Sequence, residues 1–236
     1  MVGENRAVLK IAVLYPDLLG TYGDGGNGLV LLERARRRGI DASLAAVGLH
    51  EDVPDASIYL LGGGEDGPQR LACDLLAKGS FSSRVESGAH VVAVCAGLQI
   101  LGHSFSVEGN EEYAGLGLVD VVTRRGSSRS VGELAVRVGD RWLVGFENHG
   151  GRTTLGSDIA ALGAVARGRG NDGVVDGYRS QRIWATYAHG PVLAMNPWFA
   201  DEVLATVLGE ELEPLASVAD RLYAERCATL SLRPLE

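Results

Sequence analysis

Hydrophobic and polar positions along this chain alternate between two periods. Val8–Tyr15 is a nearly unbroken apolar run, and Ala42–Val47, Ile58–Leu61 and His90–Val94 are shorter ones. Runs of this length, rich in Val, Ile, Leu and Ala, predict strands buried on both faces. Between them, apolar residues recur at helical spacing from about Gly28 to Arg38 and from Gly67 to Ala77. Strand and helix in strict alternation predict an α/β fold, a doubly wound and mostly parallel sheet with helices on both faces. Beyond Leu118 the pattern changes. Leu118–Thr123, Glu133–Val138, Trp142–Phe146, Val174–Tyr178 and Ile183–Tyr187 are short alternating segments, expected as added, partly antiparallel strands. Two helices, Pro197–Leu208 and Pro214–Thr229, are expected to close a single domain spanning 1–236. No internal repeat or low-complexity tract interrupts it.

The most informative stretch joins the two periods. His90-Val-Val-Ala-Val94 ends on Cys95, and Ala96-Gly97-Leu98-Gln99 then opens a helix predicted to include His103. A sharp strand-to-helix turn presents the intervening side chain above the sheet, beside free N–H groups and a positive helix end. That setting is expected to favour a thiolate, the form of cysteine that attacks carbonyl carbon. The plainer alternative is a buried cysteine that only packs. A partner imidazole is available at His189, where the alternating segment Arg182–Tyr187 stops before Gly190-Pro191. Of the remaining histidines (His50, His90, His103 and His149), His149 is the rival.

Composition narrows the class. The chain has 236 residues, 46% of them apolar, enough for a substantial core. Three scattered cysteines, Cys73, Cys95 and Cys227, form no CxxC pair. This argues against a disulfide framework or a zinc knuckle and for a reducing compartment; Cys73 and Cys227 are expected to pack inertly. Met1–Arg6 carries no leader pattern, and no apolar stretch approaches membrane-spanning length, so a cytoplasmic protein is expected. A net charge of −8 argues against nucleic-acid binding. The run Arg34–Arg38 is expected to be a solvated helix end.

Gly23-Asp-Gly25-Gly-Asn-Gly28 fits the dinucleotide fingerprint G-x-G-x-x-G. Pro16–Tyr22 separates it from the strand end, however, and the fingerprint needs that turn to be immediate. The glycines are instead expected to shape a loop beside the site or against a partner. No phosphate loop for ATP and no metal-binding signature is present, so neither metal nor cofactor is expected in this chain.

Cys95-Ala-Gly-Leu-Gln99, Leu61-Gly-Gly-Gly-Glu-Asp66 and the late His189 together resemble the class I glutamine amidotransferases, in particular their cobyric-acid-synthase-like branch. Tyr22-Gly-Asp-Gly-Gly-Asn27, Phe146-Glu-Asn-His-Gly-Gly-Arg-Thr153 and His189-Gly-Pro191 extend the similarity over about Val8 to Leu208, and point within that branch to the GatD family of glutaminase subunits. The resemblance implies that Cys95 attacks the side-chain amide of L-glutamine and that His189 moves the proton. It implies an oxyanion hole from Ala96 and the Gly62–Gly64 run, Gly63 and Gly64 above all. Arg129 is implied as the substrate clamp, carried on a flexible Gly126-Ser-Ser loop, with Arg152 the runner-up; Gln99 either contacts substrate or caps a neighbour. It further implies a Mur-ligase-like, MurT-type partner in a heterodimer. That partner would hold ATP and amidate the D-glutamate of lipid II, so that the membrane is met only indirectly. The same chemistry serving another acceptor, such as a cobyrinate-type corrinoid, is the alternative, and a non-catalytic module that kept the fold is a third. One departure stands out: where the superfamily has His-x-Glu, this chain has His189-Gly190-Pro191. The acid orienting His189 must then come from elsewhere in the chain, Glu147 being one candidate, or from the partner. On that reasoning the isolated chain is expected to hydrolyse glutamine weakly.

Overall fold

The computed structural model describes residues 8–107 and 111–233; the leader-free start read at Met1–Arg6 lies outside them. The first sheet has the order β11-β12-β4-β3-β1-β2. Its strands are β1 (Leu9–Leu14), β2 (Ala42–Val47), β3 (Ile58–Leu61), β4 (His90–Val94), β11 (Tyr178–Arg179) and β12 (Ile183–Thr186). All neighbours are parallel except the edge pair β11–β12. The inner strands β3 and β4 are buried almost throughout, as their apolar runs require.

Helices lie on opposite faces of this sheet. Helix α2 (Gly26–Arg37) presses Gly28 against Val13, Leu44 and Leu60, while α5 (Ala96–Leu101) presses Gly97 against Leu61. Leu60 and Leu61 are consecutive on one strand and therefore point to opposite faces. A methyl on Gly97 would stand 2.8 Å from the Leu61 backbone oxygen, so only glycine lets this helix reach the strand. The helix-end arginines correct the expectation of a solvated run. Arg34 is buried and makes a two-pronged pair with Asp201 of α7 (Pro197–Leu208), both contacts 2.6 Å, and Arg38 adds a third at 2.9 Å. Planar guanidinium suits that role, and the cluster clamps α2 to α7.

The second sheet, order β10-β9-β7-β5-β6 with β8 on β7, is mostly antiparallel. It differs from the expected short segments. Val121–Val138 is one strand, β7, and Arg141–Leu155 is one strand, β8. Gly126–Ser128 breaks the alternation in sequence, yet pairing resumes on both sides, Arg125 with Gly151 and Ser130 with His149. The Gly-Ser segment is thus a bulge in a long strand and not a free loop. Arg152 secures it by donating to Ser128 O at 2.8 Å and to Gly151 O at 2.7 Å. Strands β5 (Ser104–Ser106), β6 (Glu112–Ala114) and β9 (Gly163–Arg167), and helices α1 (Pro16–Leu19), α4 (Phe81–Glu86) and α6 (Val192–Met195), had no forecast; β10 is the pair Val175–Asp176, and α3 is Asp66–Lys78. Helix α5 stops at Leu101, where Gly102 turns extended. His103 therefore lies outside the helix, its ring against Asp120 at the surface. The last helix, α8, begins at Val218 under a Ser217–Asp220 capping box, later than Pro214.

The two sheets join at the site. Phe146 of β8 and His189, just past β12, exchange both backbone hydrogen bonds, at 2.9 and 3.2 Å. A buried apolar cluster runs without a break from Leu9 to Leu204 through both sheets.

Candidate active site

The carboxyl ends of β1, β3, β4 and β12 converge, the place where parallel sheets form their sites. Cys95 follows β4 with φ 53° and ψ −103°, a left-handed conformation for a residue that bears a Cβ. Backbone strain of this kind costs on the order of 1–3 kcal/mol and persists only where surroundings enforce it. Here the Cys95 N–H donates to Thr186 O of β12 at 2.8 Å, and α5 starts at the next residue. The elbow forms as the sequence predicts.

Its electrostatics do not follow the expectation. Burial above all, then the charge of Asp24, push the Cys95 thiol up to about 12, against the Ala96 N–H and Arg129, which pull the other way. The helix is only six residues long and wholly buried. Desolvation of the anion outweighs a single turn's N–H groups, so the resting group is a thiol, and ionisation requires a nearby proton acceptor.

Two histidines compete for that role, and hydrogen bonding separates them. His149 has both ring nitrogens engaged, Nε2 with Glu147 Oε2 at 3.0 Å and Nδ1 with Gly151 O at 3.1 Å, and its ring stacks on Tyr187. His189 is fully buried, its Nδ1 sits 2.9 Å from Asp24 Oδ2, and its Nε2 has no partner among the described residues. A carboxylate only accepts, so Nδ1 carries the proton and Nε2 presents its lone pair.

Asp24 is the acid missing after His189. It sits in the glycine-rich loop between α1 and α2, 2% exposed, and the same Oδ2 also accepts the Gly63 N–H at 2.9 Å. Glu147, the acid suggested from sequence, is instead committed to His149 and to the N–H groups of Arg169 and Gly170. Burial raises its pKa, but those bonds outweigh burial and leave it lowered. The G-x-G-x-x-G loop thus serves the site by carrying Asp24. Its Asn27 Oδ1 also accepts Leu193 N–H at 2.9 Å, and Gly26 packs on Pro191.

The other expected residues divide. Gly64 lines a cavity of about 50 Å³ together with Cys95, Gln99, Arg129 and His149, whereas His189 is not part of its lining. Nothing among the described residues accepts from the Gly64 N–H. The Gly63 N–H is already donated to Asp24, so it is not free for an oxyanion. A methyl at Gly63 would fall 2.5 Å from His189 Cε1, which accounts for glycine there. Gln99 is buried with both amide ends engaged, accepting from Gln69 Nε2 at 2.9 Å and donating to Tyr187 Oη at 3.2 Å. It walls the cavity and caps neighbours at once. Arg129 is half-exposed at the mouth, donating to Asn148 Oδ1 at 2.5 Å and to Tyr22 Oη at 3.1 Å. Arg152 is occupied holding the bulge. Size alone does not select this cavity: a larger groove of about 570 Å³, lined by Ser80, Ser83, Arg84 and His90 among others, contains none of Cys95, His189 and Asp24. Among the described residues no cluster of His, Cys, Asp and Glu is arranged to hold a metal, and no helix is long and apolar enough to cross a membrane.

A strained cysteine elbow, an imidazole just past the neighbouring strand and a glycine run thus lie together at one edge of the first sheet. Residues 10–197 match the profile of the CobB/CobQ-like glutamine amidotransferase domain, and the chain belongs to that family. Two similar curated proteins are each named lipid II isoglutaminyl synthase (glutamine-hydrolyzing) subunit GatD. The one from Streptococcus pneumoniae is 34% identical over 85% of this chain and 80% of its own length; the one from Staphylococcus aureus is 33% identical over 83% of each. Cobyric acid synthase from Rhizobium etli is 34% identical over 64% of this chain but only 32% of its own length. Among solved structures, a glutamine amidotransferase aligns with TM-score 0.59 and 19% identity, covering 84% of this chain and 98% of that one. PurLQS from Thermotoga maritima aligns with TM-score 0.56 and 16% identity over 86% and 99%. These likenesses show the fold.

Proposed function

We propose that this chain is the glutaminase subunit of a lipid II isoglutaminyl synthase. It hydrolyses L-glutamine and passes ammonia to a Mur-ligase-like partner of the MurT type, on the cytoplasmic side of the membrane. The partner binds ATP and amidates the D-glutamate of lipid II to D-isoglutamine. The observation that carries the reading is the similarity to two GatD subunits over more than four-fifths of the chain. Likeness to cobyric acid synthase covers a third of that protein, which supports the branch and not the acceptor.

In this mechanism the Cys95 thiol gives its proton to His189 Nε2 as sulfur bonds to the glutamine amide carbon. Asp24 holds Nδ1–H and stabilises the imidazolium, the role a buried acid takes in such triads. The tetrahedral oxygen is met by the Ala96 and Gly64 N–H groups, donors fixed before the charge develops. The C–N bond then breaks, with His189 returning the proton to the leaving ammonia. Water, deprotonated by the same imidazole, cleaves the thioester to give glutamate and the free thiol.

The test is ammonia release from glutamine, followed by amidation of lipid II when the MurT-type partner and ATP are added. Cys95→Ala should abolish both with glutamine as donor, while added ammonium restores amidation. If the intact pair releases ammonia but amidates a corrinoid and not lipid II, the alternative acceptor is correct.

A further inference from the structure

The cavity beside Cys95 is small, about 50 Å³. The α-carbon end of a glutamine whose amide is at Cys95 therefore lies at the mouth, two methylene groups away. The mouth is built of charges in alternation. Arg129 Nη2 stands 3.7 Å from Glu65 Oε1, and Arg125 Nη1 stands 3.3 Å from Asp66 Oδ2. Tyr22 Oη links the first pair, donating to Glu65 Oε1 at 3.2 Å and accepting from Arg129 Nη2 at 3.1 Å.

Glu65 is the unexplained member. It is the N-cap of α3, where Ser, Thr, Asp or Asn is preferred, and its side chain makes no capping bond. Its carboxylate is half-exposed, in a pair too long and too wet to hold strongly. It directly follows Gly64, whose N–H faces the reacting oxygen in the proposed mechanism. A carboxylate that neither caps its helix nor makes a tight pair, one residue from the reacting centre and beside an arginine, is suited to an amino-acid zwitterion.

We propose that Glu65 is the receptor for the substrate's α-ammonium group, Arg129 taking the α-carboxylate. The loose Glu65–Arg129 pair is exchanged for two contacts with the zwitterion, and Tyr22 keeps the two side chains aligned. The site is thereby specific for the free amino acid: a glutamine residue inside a peptide, or one acylated on its amine, lacks the cation that Glu65 reads. This inference rests on the glutaminase reading, and its test separates the two.

The experiment compares L-glutamine with glutaramate, which has the same amide and carboxylate but no amine, on the wild-type chain and Glu65→Gln, with the partner present. A hydrogen bond between charged groups corresponds to roughly tenfold or more. Wild type should therefore favour glutamine by at least about that factor in kcat/KM. Glu65→Gln should lose it through KM for glutamine, with kcat nearly kept and kcat/KM for glutaramate changing far less than that for glutamine. Glu65→Asp, which keeps the charge on a shorter arm, should recover part of the preference. Equal losses on both compounds, or no loss on either, overturns the assignment of Glu65. No ammonia from glutamine with wild type overturns the glutaminase reading, and this inference with it.

Discussion

Asp24 provides the sharpest test of the site. Both N–H groups that it serves, from His189 Nδ1 and Gly63, converge on one oxygen, Oδ2, at 2.9 Å each, while Oδ1 is buried with no partner among the described residues. This geometry separates orientation from charge. In Asp24→Asn the amide oxygen can occupy the Oδ2 position and accept both bonds, its NH₂ filling the place of Oδ1. The histidine tautomer is kept and only the charge is lost. Bonds to charged acceptors are worth about 1.5–3 kcal/mol and neutral ones about 0.5–1.5. The imidazolium-forming step should therefore slow by about tenfold, the equivalent of roughly 1.4 kcal/mol. Asp24→Ala leaves both N–H groups unserved and frees the ring, so the loss should approach the whole of general-base catalysis, about 10²- to 10⁴-fold. In both variants the loss should fall on kcat, because Asp24 does not line the cavity and acts through His189. Asp24→Asn should melt no lower than wild type, since it removes a buried charge with one unpaired oxygen. The assay is steady-state ammonia release, with and without the proposed MurT-type partner. Asparagine as damaging as alanine would refute the convergent-oxygen argument. An alanine variant within threefold of wild type would mean that another acid, such as one from the partner, orients His189.

Replacing His189 with alanine should lower kcat by about 10²–10⁴. His149→Ala should lower kcat far less but destabilise by about 2 kcal/mol, because it removes one of the three hydrogen bonds to the buried Glu147 carboxylate; the reverse order in kcat would make His149 the base. A glutamine-like alkylating agent should label Cys95 and spare Cys73 and Cys227, whereas a plain haloacetamide at neutral pH should reach half-buried Cys227 first, since the Cys95 thiol is pushed up to about 12; even labelling by the glutamine mimic would contradict the site. Asp176 is fully buried and its carboxyl raised to about 6, against 3.8 in the unfolded chain, by burial first. A raised acid stabilises the fold while protonated, so roughly 3 kcal/mol present below pH 3.8 should be lost as pH climbs towards 6. The melting temperature of wild type relative to Asp176→Asn should fall across that window and then level; a constant difference would refute it.

The inner strands Ile58–Leu61 and His90–Val94 were legible because burial on both faces leaves only apolar runs, and they match residue for residue; the edge strand Ala42–Val47 also matches, although Ser43, Ala45 and Ala46 are exposed. Long β7 and β8 were not, since their glycines and serines look like loop in one dimension and are held in register only by the partner strand. The elbow at Cys95 was readable from local pattern alone. Asp24 was not, because the acid was sought at a fixed spacing from His189. A search of every loop following a parallel strand would have found the Asp of the Gly23–Gly28 run, since those loops share one edge of the sheet. The favoured thiolate failed for a related reason: chain order shows a helix start but not the depth at which it is buried.

Asp24 and His189 lie 165 residues apart, on opposite sides of Cys95 in the chain. During synthesis the nucleophile and its elbow strand emerge first, with Asp24 already made, but the imidazole arrives only after the entire second sheet. A nascent or truncated chain that stops short of His189 has the cysteine but not the imidazole that would take its proton. Chain order alone thus withholds the Cys95–His189 pairing until nearly the whole domain has been made.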